Sequence, residues 1–151
     1  MNIVDFFTRH IKHLLVATLV LFSTLGNAQT KQKTRILFMF DASQSMLGQW
    51  DGQQKIKIAT RLLSNVMDSL KSVENLEVAL RVYGHQFSVA AGERSCEDTK
   101  LEVPFGSDGY DEIKTTLGEL YPKGTTPIAY SLEQTKNDFP WGTGLSPRPP
   151  Q

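Results

Sequence analysis

Apolar and polar positions along the chain fall into blocks with two different periods. Arg35 to Phe40 (RILFMF) is a short apolar run that stops at Asp41, the pattern of a strand buried on both faces of a parallel sheet. Residues 42–54 are polar, contain Gly48 and Gly52, and predict a loop. Ala59, Leu62, Leu63, Val66, Met67, Leu70 and Val73 then recur at helical spacing. Leu76, Val78, Leu80 and Val82 alternate strictly, which predicts a second strand over 76–83. A long polar loop, 84–98, leads to a third strand at Leu101 to Phe105, placed at a sheet edge because Pro104 cannot donate to a ladder. Tyr110, Ile113, Leu117 and Leu120 mark a second helix, Pro122 to Thr126 a turn, and a third helix runs from Pro127 with Ile128 and Leu132 inward. Strand, helix, strand is a βαβ unit with a right-handed crossover, so the first two strands are parallel. The predicted class is α/β, a mostly parallel sheet with one antiparallel edge strand.

The first 28 residues have another character. Arg9 and Lys12 precede an almost wholly apolar run, Leu14 to Leu25, followed by the small residues Gly26, Asn27 and Ala28. That order predicts a secretory signal peptide cleaved near Ala28. Twelve apolar residues reach about 18 Å as a helix, short of the roughly 30 Å core of a bilayer, so an anchor is disfavoured and no membrane span follows signal removal. The chain is therefore expected to be exported, to the periplasm, the cell surface or the medium. The far end, 141–151, is rich in Pro and Gly and predicts a disordered tail.

Composition narrows the function classes. The 151-residue chain has a formal net charge of zero, and its basic and acidic residues are interspersed, which argues against a nucleic-acid partner. Its one cysteine, Cys96, cannot form an internal disulfide; it is a free thiol or the partner of a cysteine elsewhere. There is no G-x-S-x-G elbow, S-x-x-K or P-loop, so no enzyme class is indicated. A hydrolase using Asp41 as nucleophile would need a second carboxylate nearby, and position 43 is Ser.

The candidate chemistry sits at the end of the first strand. Asp41-Ala42-Ser43-Gln44-Ser45 is D-x-S-x-S, at the carboxyl end of a strand where open α/β sheets place ligands. One carboxylate and two hydroxyls on alternate residues can point at a common centre, and such hard oxygen donors suit Mg²⁺, Mn²⁺ or Ca²⁺. A second hydroxyl-bearing turn is Gly124-Thr125-Thr126-Pro127, where Thr126 is equally suited to cap the helix that Pro127 opens. If the first strand runs up, the helix down and the second strand up, the third strand returns down and the second helix climbs. Both turns then arrive at one end of the sheet.

With these residues the chain resembles a von Willebrand factor A domain, the family of integrin inserted domains. FMFDASQSM is similar to the family's first metal-site segment and GTTPIAYSL to its threonine segment; the stretch RVYGH and the Cys96-Glu97-Asp98 loop look like exported bacterial members. The resemblance covers residues 34–139. It implies a three-layer fold and a metal-ion-dependent adhesion site in which Ser43 and Ser45 bind the cation directly, Thr126 directly or through water, and Asp41 through a water. Thr125 is the fallback for Thr126. An open coordination position would take a carboxylate from a protein partner, with His85, Gln44 and Thr125 on the rim. The alternative is a structural or assembly segment of a larger envelope protein with a degenerate metal site. The family's further Asp-Gly pair, at the end of a fourth strand, has no counterpart here, so residues 29–140 are expected to form the N-terminal part of such a domain, ended early. An early end would leave the edge of RILFMF unpaired.

Overall fold

The computed structural model describes residues 33–106 and 108–139; the expected signal peptide and the expected disordered tail lie outside the described residues. Three strands form the main sheet: β1 (Thr34–Asp41), β4 (Leu76–Tyr83) and β5 (Thr99–Gly106), in the order β1-β4-β5. β1 and β4 run parallel and in step, from Thr34 opposite Leu76 to Asp41 opposite Tyr83. β5 returns antiparallel at the edge, as expected. Its register shifts between Gly106 and Val103 and again between Val103 and Leu101, and the exposed Pro104, inside the first shift, has no partner in the ladder. A bulge at the proline reconciles a missing N–H with strand pairing.

The polar stretch after β1 is more ordered than its composition suggests. It holds a 3-10 turn at Gln44–Leu47 and a small ribbon of β2 (Gln49–Trp50) paired antiparallel with β3 (Gln53–Gln54). Asp51 and Gly52, both at positive φ, make the ribbon's turn. Helix α1 follows directly, Lys55–Leu70, earlier at both ends than the apolar period predicts. Asn75, also at positive φ, turns the chain into β4, and its carbonyl accepts the N–H of Thr34.

A 3-10 turn (Val89–Ala91) and the single-turn helix α2 (Glu93–Cys96) organise the connection before β5. Helix α3 (Gly109–Glu119) packs against α1 and the sheet, and α4 (Ile128–Thr135) lies against β4. The core forms between the sheet and the pair α1 and α3: Phe40, Val78, Leu80, Val82 and Val103 meet Ile56, Met67, Tyr110, Ile113 and Leu117. The Tyr110 hydroxyl donates to the Leu76 carbonyl at 2.9 Å and pins the start of α3 to the start of β4.

The opposite face of β4 is buried as well, which the alternation did not predict. Ala79, Arg81 and Tyr83 are covered, and Arg81 is held by Asp138 just past α4. Helices thus cover both faces, giving the three layers of the α/β class.

Three sequence expectations need correction. β1 is not buried on both faces; only Phe40 is fully covered, because β1 is an edge of the sheet among the described residues. On α1, Ile56, Ala59, Leu63, Met67 and Leu70 make the contact stripe, so Leu62 (57% exposed) and Val66 fall to its side, and Val73 lies beyond the helix end. On α4, Ser131 turns inward while Ile128 and Leu132 are about half exposed.

Candidate functional site

Three turns meet at the carboxyl end of β1 and β4, and backbone hydrogen bonds sew them together. The β1–β4 ladder continues one step past Asp41, with the Ala42 N–H on the Tyr83 carbonyl at 2.9 Å. Ser43 forms a parallel bridge to Gly124, and the Gln44 N–H donates to the Gly124 carbonyl at 2.8 Å. Gly84 joins the third turn: its carbonyl accepts from the N–H groups of Lys123 (3.2 Å) and Gly124 (2.8 Å), and its own N–H donates to the Asp98 carbonyl. The D-x-S-x-S segment and the Gly124–Thr126 turn are thereby neighbours, 80 residues apart in the chain.

Glycine makes this approach possible. Gly84 has φ +76°, and a Cβ there would stand 2.6 Å from the Thr125 carbonyl oxygen and 2.7 Å from Ser43 Cα. A Cβ on Gly124 would stand 2.6 Å from the Phe87 carbonyl oxygen and 3.0 Å from Gly84 Cα. All these obstacles are backbone atoms that cannot rotate away.

Within the first turn, the Asp41 carboxylate accepts the Ser43 N–H at 2.8 Å, closing an Asx turn that fixes the loop's direction. Ser43 is buried and Ser45 is exposed, with their hydroxyl oxygens 3.0 Å apart. They can hydrogen-bond each other, and the spacing is also close to that of adjacent ligands, about 2.9 Å, in an octahedron with metal–oxygen bonds of about 2.0–2.1 Å. Tyr83 lies opposite Asp41; burial, reinforced by the Asp41 carboxylate, pushes its phenol up to about 12.

The two threonines of the second turn have different surroundings. Thr125 is tied to α2: its N–H donates to Ser95 Oγ at 2.9 Å and its hydroxyl donates to the Ser95 carbonyl. Thr126 is exposed, and its hydroxyl makes no hydrogen bond among the described residues. It does not cap α4, which begins at Ile128 without a side-chain cap; the Thr126 carbonyl instead accepts the Ile128 N–H. Pro127 precedes the first helical residue.

Of the rim residues, Gln44 is exposed beside the bridge. His85 turns toward β5, with Nε2 2.7 Å from Glu102, leaving the side chain about one-tenth exposed. Burial raises the Glu102 carboxyl, but Lys100 and His85 outweigh it and hold the group below its usual range.

Sequence reasoning missed the supports. Asp98 is buried, and its carboxylate accepts the N–H groups of Gln86 (2.8 Å) and Phe87 (2.9 Å) and the Gln86 amide, setting the turn after Gly84. Ser95, also buried, holds Thr125. Both stand in a polar loop where composition gives no sign of burial; the one available signal is Gly84 directly after a strand. Cys96 is free and exposed.

The donors offered are thus one carboxylate and hydroxyls, and no group of three or more His, Cys, Asp or Glu suited to a metal occurs among the described residues. An all-oxygen set with a single charge suits a hard divalent cation that keeps places for outside ligands.

No protein-family model matches the chain. The uncharacterized protein YwmD of Bacillus subtilis is 31% identical over 114 residues, 74% of this chain and 50% of its own length. The chain therefore spans about half the length of that curated relative. Among solved structures, the conserved hypothetical protein BatB from Bacteroides thetaiotaomicron aligns with a TM-score of 0.56 at 24% identity, over 74% of this chain and 49% of that one. The vWF domain of the type V pili tip protein Mfa5 from Porphyromonas gingivalis aligns with a TM-score of 0.51 at 16% identity, over 74% of this chain and 34% of that one. Mixed sheet, helices on both faces and these structural matches together show that the chain has a von Willebrand factor A-like fold.

Proposed function

We propose that this chain is a metal-dependent binding module of an exported protein, in which Asp41, Ser43, Ser45 and Thr126 hold a divalent cation, Mg²⁺ foremost, that engages a carboxylate of a protein partner. The observation that carries this reading is the bridge between Ser43 and Gly124, which brings three hydroxyls and a carboxylate from two distant turns to one end of the sheet. The 3.0 Å spacing of the serine hydroxyls and the unengaged Thr126 hydroxyl support it. Few direct protein charges would leave the cation electrophilic enough to recruit an outside anion. One carboxylate among hydroxyls is the donor set of a binder, and recognition is the role this reading assigns to the site. The pilus tip protein among the structural matches fits a place at the cell envelope, and no helix among the described residues is long and apolar enough to cross a membrane.

Calorimetric titration of the chain with Mg²⁺, Mn²⁺ and Ca²⁺ tests the proposal. Saturable heat that is lost in Ser43→Ala supports it. The half-length match to the curated relative favours one second reading, a structural or assembly segment of a larger envelope protein, and silence toward all three cations in a folded chain would select it.

A further inference from the structure

A groove of about 520 Å³ runs between the first half of α1 and the end of α3, apart from the hydroxyl site. Its size is in the range that holds ligands and side-chain clusters, about 300–1,000 Å³. Leu47, Ile56, Leu117, Leu120 and Pro122 give it an apolar lining. Among the described residues, Lys57 and Arg61 are the two charged groups in its wall, and no carboxylate lines it. They stand one turn apart on α1, whose first turn carries no acid and whose N-terminus adds its own positive potential. Arg61 is held by the Gln53 amide oxygen at 3.2 Å, while Lys57 makes no ion pair among the described residues. The trough is open: Tyr121 on its rim is two-thirds exposed, and Gln54 and Thr60 contribute polar atoms. An enclosed tunnel would suit an acyl chain; an open apolar trough with a cationic wall suits a peptide whose apolar side chains enter while its carboxylates meet Lys57 and Arg61.

We propose that this groove is a second binding site, specific for an acidic, apolar peptide segment of a partner protein and independent of any metal. Leu47 and Pro122 lie two residues from Ser45 and Gly124 in sequence, so one partner could reach both places, yet the groove's chemistry needs no cation.

The test uses the full chain, in excess EDTA, and a fluorescein-labelled pentapeptide alternating aspartate and leucine, read by anisotropy. Saturable binding is expected, weakened at least tenfold in Lys57→Glu/Arg61→Glu and at least tenfold when asparagines replace the peptide's aspartates. Thr60→Trp, which fills the trough and leaves both cationic side chains in place in the sequence, should abolish binding while circular dichroism stays unchanged. Undiminished binding in Thr60→Trp, equal binding of the asparagine peptide, or no binding at millimolar peptide would overturn the proposal. Displacement of the peptide by laurate at lower concentration would also overturn it, in favour of a lipid-type site. Because EDTA is present throughout, success or failure here is separate from the fate of the metal site.

Discussion

Arg81, in the middle of β4, and Asp138, just beyond α4, form a two-pronged pair: Nε and Nη2 donate to the two carboxylate oxygens at 2.6 Å each. Both side chains are more than nine-tenths covered, and Nη1 is taken by the Thr99 hydroxyl at 3.1 Å. The pair fastens the last described turn to the sheet centre, and the rings of Phe105 and Phe139, 5.0 Å apart, back it. Since α4 carries the Gly124–Thr126 turn at its other end, the pair also fixes one wall of the candidate site.

Removing one member of a buried pair leaves the other charge unpaired, which costs about 3–5 kcal/mol. Asp138→Asn should therefore lose about that much in urea unfolding, a large share of a typical net stability of about 5–15 kcal/mol. Arg81→Met/Asp138→Leu, which removes both charges, should recover most of the loss. A double variant no more stable than Asp138→Asn would show that the helix is docked by other means.

Gly84→Ala places a methyl group against the Thr125 carbonyl and Ser43 Cα and forces alanine to φ +76°. Strain of this kind costs about 1–3 kcal/mol. The seam between the two turns should open, so Mg²⁺ affinity should fall further than global stability does. Gly118→Ala is the control, because a Cβ there meets nothing within 4 Å. Equal metal affinity in both variants would disconnect the seam from the site.

Glu77 bridges Lys33 and Arg35 at the start of β1 and β4, and hydrogen bonds from those two cations, Lys33 first, hold its carboxyl below the usual range. A depressed carboxylate contributes stability that is fully present above its unfolded pKa, about 4.3, and is lost as pH falls through the lower folded value. Thermal stability of the wild type should therefore fall more steeply below about pH 4.3 than that of Glu77→Gln. Parallel curves in that window would remove Glu77 from the acid response.

Much of this layout was legible in the chain. RILFMF and the alternation from Leu76 to Val82 specify two strands because a period of two and an apolar run leave few other arrangements. The meeting of the D-x-S-x-S and Gly124–Thr126 turns follows from the direction of successive elements. What was hidden depends on tertiary contact. Arg81 is buried because Asp138 neutralises it, 57 residues away, and local polarity carries no trace of that. Ser95 and Asp98 read as solvated loop residues, since their partners are backbone N–H groups that a sequence does not display. Ile128 and Leu132 fit an inward period, but Ser131 is the residue buried, a rotation of the helix that its own apolar spacing does not encode.

The adjacent threonines offer the sharpest separation of structure from binding. Thr125 exchanges hydrogen bonds with both the hydroxyl and the carbonyl of Ser95, whereas the Thr126 hydroxyl is exposed and unengaged among the described residues. Valine at either position keeps the shape and removes the hydroxyl. Thr125→Val takes the hydroxyl donor from the Ser95 carbonyl, which keeps the Asp98 N–H at 3.4 Å, a loss of about 0.5–1.5 kcal/mol in chemical unfolding. Thr126→Val removes no hydrogen bond and should leave stability within about 0.5 kcal/mol. If Thr126 is a ligand, its valine variant should bind Mg²⁺ at least tenfold more weakly, about 1.4 kcal/mol, by calorimetry. Unchanged Mg²⁺ affinity in Thr126→Val, with normal folding, would take the threonine turn out of the metal site and leave Asp41, Ser43 and Ser45 too few to hold the cation in the manner proposed.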